Sequence, residues 1–216
     1  MTYKAAYDCQ IKNLFEVYAK YFNNKTVGYF VEIGAYDGYK WSNTWGLAEA
    51  GWGGIYVEPV HEHAEQCRER HKNNHVVTVE CAISDTEGQV KLWLDPGDLS
   101  STVDEETMKL SPWNFPYDPE KYTLVPAMTL NALLDVYTKQ GFFDLLVIDV
   151  EGAELRVLSG FDWRKWRPAM IIIEDHLGQQ NAKAFHADAI TKWFKATDYK
   201  CLQHDGINSI YVLELK

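Results

Sequence analysis

Apolar positions along this chain fall into short dense runs, separated by longer stretches in which they recur every three or four residues. Residues 28–33, centred on Phe30-Val31-Glu32-Ile33, form the first dense run and lead straight into a turn carrying Gly34 and Gly38. Residues 54–57 and 75–82 read as a second and third strand, 90–94 and 124–128 as two more, and 142–149 as the most strongly apolar of all. Residues 169–173 follow, and 199–204 with 207–213 close the pattern as a hairpin about Asp205-Gly206. Between these runs, helical spacing predicts helices over 5–22 (on Ile11, Leu14, Phe15, Tyr18 and Phe22), 41–50, 61–73, 131–140, 153–160 and 181–196. Strands alternating with helices require parallel pairing through crossover connections, which makes the chain an α/β fold.

The pattern fails over 95–123, where Pro96, Pro112, Pro116 and Pro119 of the chain's seven prolines are interleaved with Trp113, Phe115 and Tyr117. Such a stretch inside a folded domain is either a lid over a site or a packed insertion. At 216 residues and 46% hydrophobic content, the whole chain, 1–216, is expected to be one domain with a full core, 1–25 forming a helical segment at its start.

Candidate chemistry gathers at the carboxyl ends of the strands, where open α/β sheets bind ligands. The first turn contains Glu32, Gly34, Ala35, Tyr36, Asp37 and Gly38; it has neither the third glycine nor the lysine of a phosphate-binding loop, and its carboxylates favour a cation. A little over twenty residues on, the second strand ends in Glu58-Pro59, the spacing at which such folds place an acid on ribose hydroxyls. S-adenosylmethionine, with its ammonium and sulfonium, meets both conditions. Ala82 and Ile83 follow the third strand and suit an adenine ring. The apolar strand ends in Asp149, Glu151 and Gly152, and the next in Glu174, Asp175 and His176. Ser42, Asn43 and Thr44 are either helix caps or pocket groups.

The formal charge of −10 argues against a polyanionic partner, so no nucleic acid is expected, and clusters such as Arg68-Glu69-Arg70-His71-Lys72 read as solvated helix faces. Cys9, Cys67, Cys81 and Cys201 contain no Cys-x-x-Cys pair and read as reduced structural thiols. No apolar run approaches a membrane span and no leader pattern opens the chain, so a cytoplasmic protein is expected.

Taken together, Phe30 to Gly38, Ser42-Asn43-Thr44, Gly51 to Pro59, Ile148 to Glu154 and Ile173 to His176 resemble the FkbM-type family of S-adenosylmethionine-dependent methyltransferases. The likeness runs from the first strand to near the C-terminus. It implies a Rossmann-like class I methyltransferase, with a seven-stranded mostly parallel sheet, a C-terminal antiparallel hairpin and helices on both faces. It also implies O-methylation of a sugar, glycan or small metabolite. Carried over by position, Glu32, Gly34 and Gly38 hold the methionine end, Glu58 the ribose, Ala82 and Ile83 the adenine, while Asp149 and Glu151 close the site near the sulfonium. Only Ser100-Ser101-Thr102 matches within the Pro-rich stretch.

Methyl transfer to a hydroxyl needs a base, and His176 beside Glu174 is the candidate, because imidazole titrates near neutral pH. His61, His63, His71 and His75 are expected on a surface helix. A second route has Asp149, Glu174 and Asp175 converging on Mg2+, an arrangement that resembles metal-dependent O-methyltransferases. Two rivals from other classes are an NAD-dependent oxidoreductase, which lacks its phosphate fingerprint here, and a non-catalytic cofactor-binding module.

Overall fold

A computed structural model describes residues 9, 11–94, 101–110, 118–139, 141–177 and 186–214. In chain order its elements are α1 (Leu14–Tyr21), β1 (Tyr29–Ile33), α2 (Trp45–Glu49), β2 (Gly53–Val57), α3 (His61–Arg70), β3 (Val76–Val79), β4 (Ala82–Ile83) and β5 (Gly88–Leu92). There follow α4 (Glu105–Leu110), β6 (Thr123–Met128), α5 (Leu130–Tyr137), β7 (Phe142–Ile148), α6 (Glu154–Ser159), β8 (Arg167–Glu174), α7 (Ala187–Lys195), β9 (Tyr199–His204) and β10 (Asn208–Leu213).

Seven strands make one sheet in the order β3-β2-β1-β7-β8-β10-β9. Its first five members run parallel, and β10 runs antiparallel to both of its neighbours, as the C-terminal hairpin requires. The central strands read as continuous apolar runs because both faces are covered. On one face Val31, Ile33, Leu146, Ile148, Ile171 and Ile173 pack against Leu133, Leu134, Val157, Ile190 and Phe194 of α5, α6 and α7. On the other, Phe30, Tyr56, Leu145, Val147 and Ile172 meet Leu14 and Tyr18 of α1 and Leu47 of α2. Each of these buried aliphatic side chains contributes about 1.5–3 kcal/mol relative to exposure.

The expected third strand, 75–82, is divided. Its ladder with β2 ends at Val79, and Glu80 turns outward to accept from Arg68 Nη2 at 2.9 Å and to meet His61 Nδ1 at 3.0 Å. Ala82 and Ile83 then join a small second sheet, ordered β4-β6-β5. Within the Pro-rich stretch, residues 101–110 are docked: Thr102 bridges to Trp93, α4 follows, and Val103, Asp104 and Thr107 are buried. Pro96, Pro112, Trp113, Phe115, Pro116 and Tyr117 lie outside the described residues. Several helices are shorter than expected; α7 begins at Ala187, and 181–185 also lie outside the description. Among the described residues, no helix is long and apolar enough to cross a membrane.

The joint that shapes the site is at the end of β1. Gly34 has φ +83°, and a Cβ there would lie 1.6 Å from the Asp149 carbonyl oxygen at the end of β7. The end of the adjacent strand thus fills the space that a side chain at position 34 would need. Gly51, with φ +95° and nothing within 4 Å of the same position, supplies the control. Gly34→Ala is expected to cost about 3 kcal/mol or more and Gly51→Ala only about 1–2 kcal/mol. Urea unfolding of the two variants checks this; equal losses would show that the joint relaxes.

Candidate active site

Strand order reverses between β2-β3 on one side of β1 and β7-β8 on the other, so the carboxyl ends of β1 and β7 flank a crevice at the switch point. A cleft of about 280 Å3 opens there. Of the residues expected to bind a cofactor, Glu32, Gly34, Ala35, Tyr36 and Ser42 line it from the β1 side, and Glu58 and Pro59 from β2. Ala82 and Ile83 line it from β4, and Asp149 and Glu151 from β7. Asp37, Gly38, Glu174 and His176 are not among its walls.

Glu32 is 3% exposed and organises the turn. Its Oε2 accepts from Ser42 Oγ at 2.7 Å and Thr44 Oγ1 at 2.6 Å, and its Oε1 from the Asn43 amide at 2.8 Å. Burial pushes this carboxyl's pKa up, and the bonds from Thr44, Ser42 and Asn43 oppose the shift. Of the Ser42-Asn43-Thr44 stretch only Ser42 lines the cleft, and the Thr44 side chain at the start of α2 makes no capping hydrogen bond. While donating to Glu32, Ser42 Oγ also accepts from the amides of Thr44 and Trp45 where α2 begins, at 3.1 and 3.0 Å.

Glu58 ties the first turn to the second. Its Oε2 accepts from the Tyr36 amide and its Oε1 from the Val60 amide, each at 2.9 Å. Glu32 and Glu58 are brought onto one cleft.

Asp37 is a correction to the expected set. Its Oδ1 accepts from the amides of Tyr39 and Lys40, and its Oδ2 pairs with Arg70 at 2.8 Å, so it braces the turn against α3. Gly38 likewise faces α3: a Cβ there would meet Cys67 Sγ at 2.7 Å and His71 Nε2 at 2.8 Å. Two histidines expected at the surface are also buried. His71 lies against the Gly38 carbonyl at 2.8 Å, and His63 lines the cleft, its ring 4.2 Å from that of Tyr36 and its Nδ1 3.8 Å from Glu58. Residues 61–70 are strongly polar overall, which hid their inward face; Ala64 and Cys67 were its only apolar trace.

Asp149 and Glu174 do approach one another, but the third carboxylate is Glu154, not Asp175. One oxygen from each of Asp149, Glu154 and Glu174 lies within 4.8 Å of the others. Asp175 is held elsewhere, its Oδ2 accepting from Ser209 Oγ at 2.6 Å and its Oδ1 from the Leu177 amide at 3.2 Å. Glu154 Oε1 accepts from the amides of Val150 and Gly152. With Glu154 and Glu174 2% and 4% exposed, the trio fits Mg2+ poorly, since that ion keeps several waters. His176 Nε2 stands 3.2 Å from Glu174 Oε1, so His176 adjoins this trio, of which Asp149 alone lines the cleft. Tyr36, Trp41, Glu151 and His176 all have positive φ, between 46° and 60°, a local strain concentrated around the site.

The profile of the methyltransferase FkbM domain matches residues 32–201. The chain belongs to that family of S-adenosylmethionine-dependent methyltransferases. No curated protein matches the sequence. Among solved structures, a protein described as a caffeoyl-CoA O-methyltransferase from Staphylococcus aureus superposes with TM-score 0.54 at 12% identity, over 94% of this chain and 84% of that one. The O-methyltransferase TomG from Streptomyces achromogenes, solved with SAM, gives 0.53 at 11% identity over 95% and 82%. A protein described as an O-methyltransferase from Klebsiella pneumoniae gives 0.50 at 14% identity over 94% and 78%. At these identities the likeness is one of fold, that of the class I methyltransferases. The FkbM domain's cleft has Glu32, Glu58, Asp149 and Glu151 among its walls, with Ala82, Ile83 and Val57 offering apolar side chains.

Glu154 provides a pH test. Burial, then the charge of Glu174, pushes its carboxyl from 4.5 to about 8. A proton kept by the fold but lost by the unfolded chain stabilises fully below the unfolded value, and that stabilisation declines as pH rises toward about 8. Glu154→Gln holds no such proton, so wild type should lose melting temperature relative to this variant between about pH 5 and about pH 8. Parallel melting curves across that range would mean that Glu154 is ionised in the fold.

Proposed function

We propose that this FkbM-family enzyme transfers the methyl group of S-adenosylmethionine to a hydroxyl of a sugar, glycan or small metabolite. The observation that carries the reading is one acidic cleft at the switch point, whose wall residue Asp149 has an oxygen within 4.8 Å of one of Glu174, the partner of the buried His176. In this reading Glu32, Gly34, Ala35, Tyr36 and Ser42 surround the methionine end, Glu58 and Pro59 the ribose, and Ala82 and Ile83 the adenine. Asp149 and Glu151 lie nearest the sulfonium. Bound there, the cofactor supplies an electrophilic methyl group.

The chain's own work is to hold the acceptor in line and exclude water. His176 accepts the hydroxyl proton, and Glu174, 3.2 Å from its Nε2, stabilises the resulting imidazolium. Hydroxyl methylation also agrees with what is described for TomG and the Staphylococcus aureus protein, both O-methyltransferases by their descriptions.

Three measurements test the reading. S-adenosylhomocysteine should raise the melting temperature and NAD+ should not; the reverse would make the protein an oxidoreductase. His176→Asn should lower turnover by about 10²–10⁴-fold while leaving S-adenosylhomocysteine affinity within a factor of about two. Wild-type turnover unchanged by the substitution removes His176 from the chemistry, and cofactor binding without transfer to any acceptor in a glycan and metabolite screen leaves a binding module. Activity should persist in excess EDTA after dialysis, and its loss with recovery on adding Mg2+ would reinstate the metal route.

A further inference from the structure

Glu32, Glu58, Asp149 and Glu151 line the cleft from one chain segment after another, and among the described residues of its walls there is a single lysine, Lys40. Lys40 is half-buried and held at both ends. Its amide donates to Asp37 Oδ1 at 2.7 Å, and its ammonium lies 4.0 Å from the centre of the Trp41 ring and 5.9 Å from that of Tyr36. Those two rings are themselves 5.7 Å apart, and the residues bearing them adopt left-handed backbone, φ 60° at Trp41 and 50° at Tyr36. Two strained residues thus present aromatic faces to one cation, an arrangement that restrains a side chain otherwise free to trail into solvent. Among the described residues Lys40 forms no ion pair, although four carboxylates share its cleft.

A cation kept away from neighbouring acids and fixed at the edge of an acidic pocket is suited to an anion that arrives with the ligand. The proposed cofactor brings one: its amino-acid end carries a carboxylate beside the ammonium, and the acids of the cleft can answer only the latter. Lys40 also follows the Gly34–Gly38 turn and precedes Ser42, so it stands on the segment assigned above to the methionine end. We propose that Lys40, steadied by Trp41 and Tyr36, receives the carboxylate of the methionine moiety and so distinguishes the intact cofactor from nucleosides lacking that group. This inference rests on the cleft being the S-adenosylmethionine site.

Calorimetry with S-adenosylhomocysteine and its decarboxylated analogue, identical but for the missing carboxylate, separates the two. Wild type should bind the first about tenfold or more tightly than the second, as a charge-assisted hydrogen bond implies. Lys40→Met should weaken S-adenosylhomocysteine by that factor, leave the analogue's affinity unchanged and so erase the preference, while Lys40→Arg restores most of it. Equal weakening of both ligands by Lys40→Met would overturn the proposal in favour of mere support for the Trp41 ring. Unchanged binding of both would overturn it in favour of an anion on the acceptor. Wild type that binds both ligands alike defeats this inference alone, whereas wild type that binds neither defeats the function proposed above.

Discussion

The site depends on a collision avoided. Where β1 and β7 finish side by side, the Asp149 carbonyl occupies the place a side chain at position 34 would fill. Because glycine stands there, β1 can turn away with φ +83° while the Gly34 and Ala35 amides still donate to the Val57 carbonyl, at 2.9 and 3.0 Å. That keeps three strand ends, β1, β2 and β7, in register up to the point at which they open. The cleft is the space left between chains that diverge from one crowded contact, and everything that binds there is placed relative to it.

Acidic groups in such a space would repel one another and lose solvation unless something else held them. The structure answers with backbone amides. Glu32 takes Asn43, Glu58 takes Tyr36 and Val60, Asp37 takes Tyr39 and Lys40, and Glu154 takes Val150 and Gly152. Each of these acidic side chains therefore has a structural task as the anchor of a turn, and for Glu32 and Glu58 the place at the cleft follows from that task. The division of labour differs among them: Glu32 and Glu58 anchor turns and face the cleft, whereas Asp37 only anchors. Charge at a strand mouth is consequently a weaker sign of ligand contact than it looks from sequence, since these groups are equally good at fixing loops.

This explains which parts of the molecule could be read from the residues. The sheet was legible because its strands are buried on both faces and so appear as unbroken apolar runs, and the order of helices and strands dictates parallel pairing. The switch-point cleft followed from the same logic. What was hidden depended on direction, which periodicity over a short polar helix does not reveal: α3 turns His63 inward, and His71 at its C-terminal cap is buried too, under a surface of glutamates and arginines. Glu154 was hidden differently. It begins α6, where an acidic side chain ordinarily serves the helix terminus, and only the convergence of β7 and β8 brings it to Asp149 and Glu174. The division of residues 75–82 between two sheets was likewise invisible, because both halves are equally apolar and the break lies in the outward turn of Glu80 toward Arg68 and His61.

That break has consequences for the cleft. Had Ala82 and Ile83 continued along β2, they would have extended the main sheet past the ends of β1 and closed the crevice from one side. Pairing instead with Ala127 and Met128 of β6 carries them outward, and the small sheet becomes a second wall. Leu92 of β5 and Val103 beyond it complete that wall with apolar side chains. Thr107 of α4 packs against Gly152, whose missing Cβ would lie 2.4 Å from its Oγ1. The 101–110 segment is thereby fastened to the loop that carries Asp149 and Glu151. In the proposed reading, the carboxylates on the parallel-sheet side and the aliphatic groups on the other sort a ligand by its two ends, charged groups toward β1 and β7 and a flat apolar ring toward β4. A nucleoside joined to an amino acid has that polarity, and a dinucleotide, with a pyrophosphate at its middle, does not.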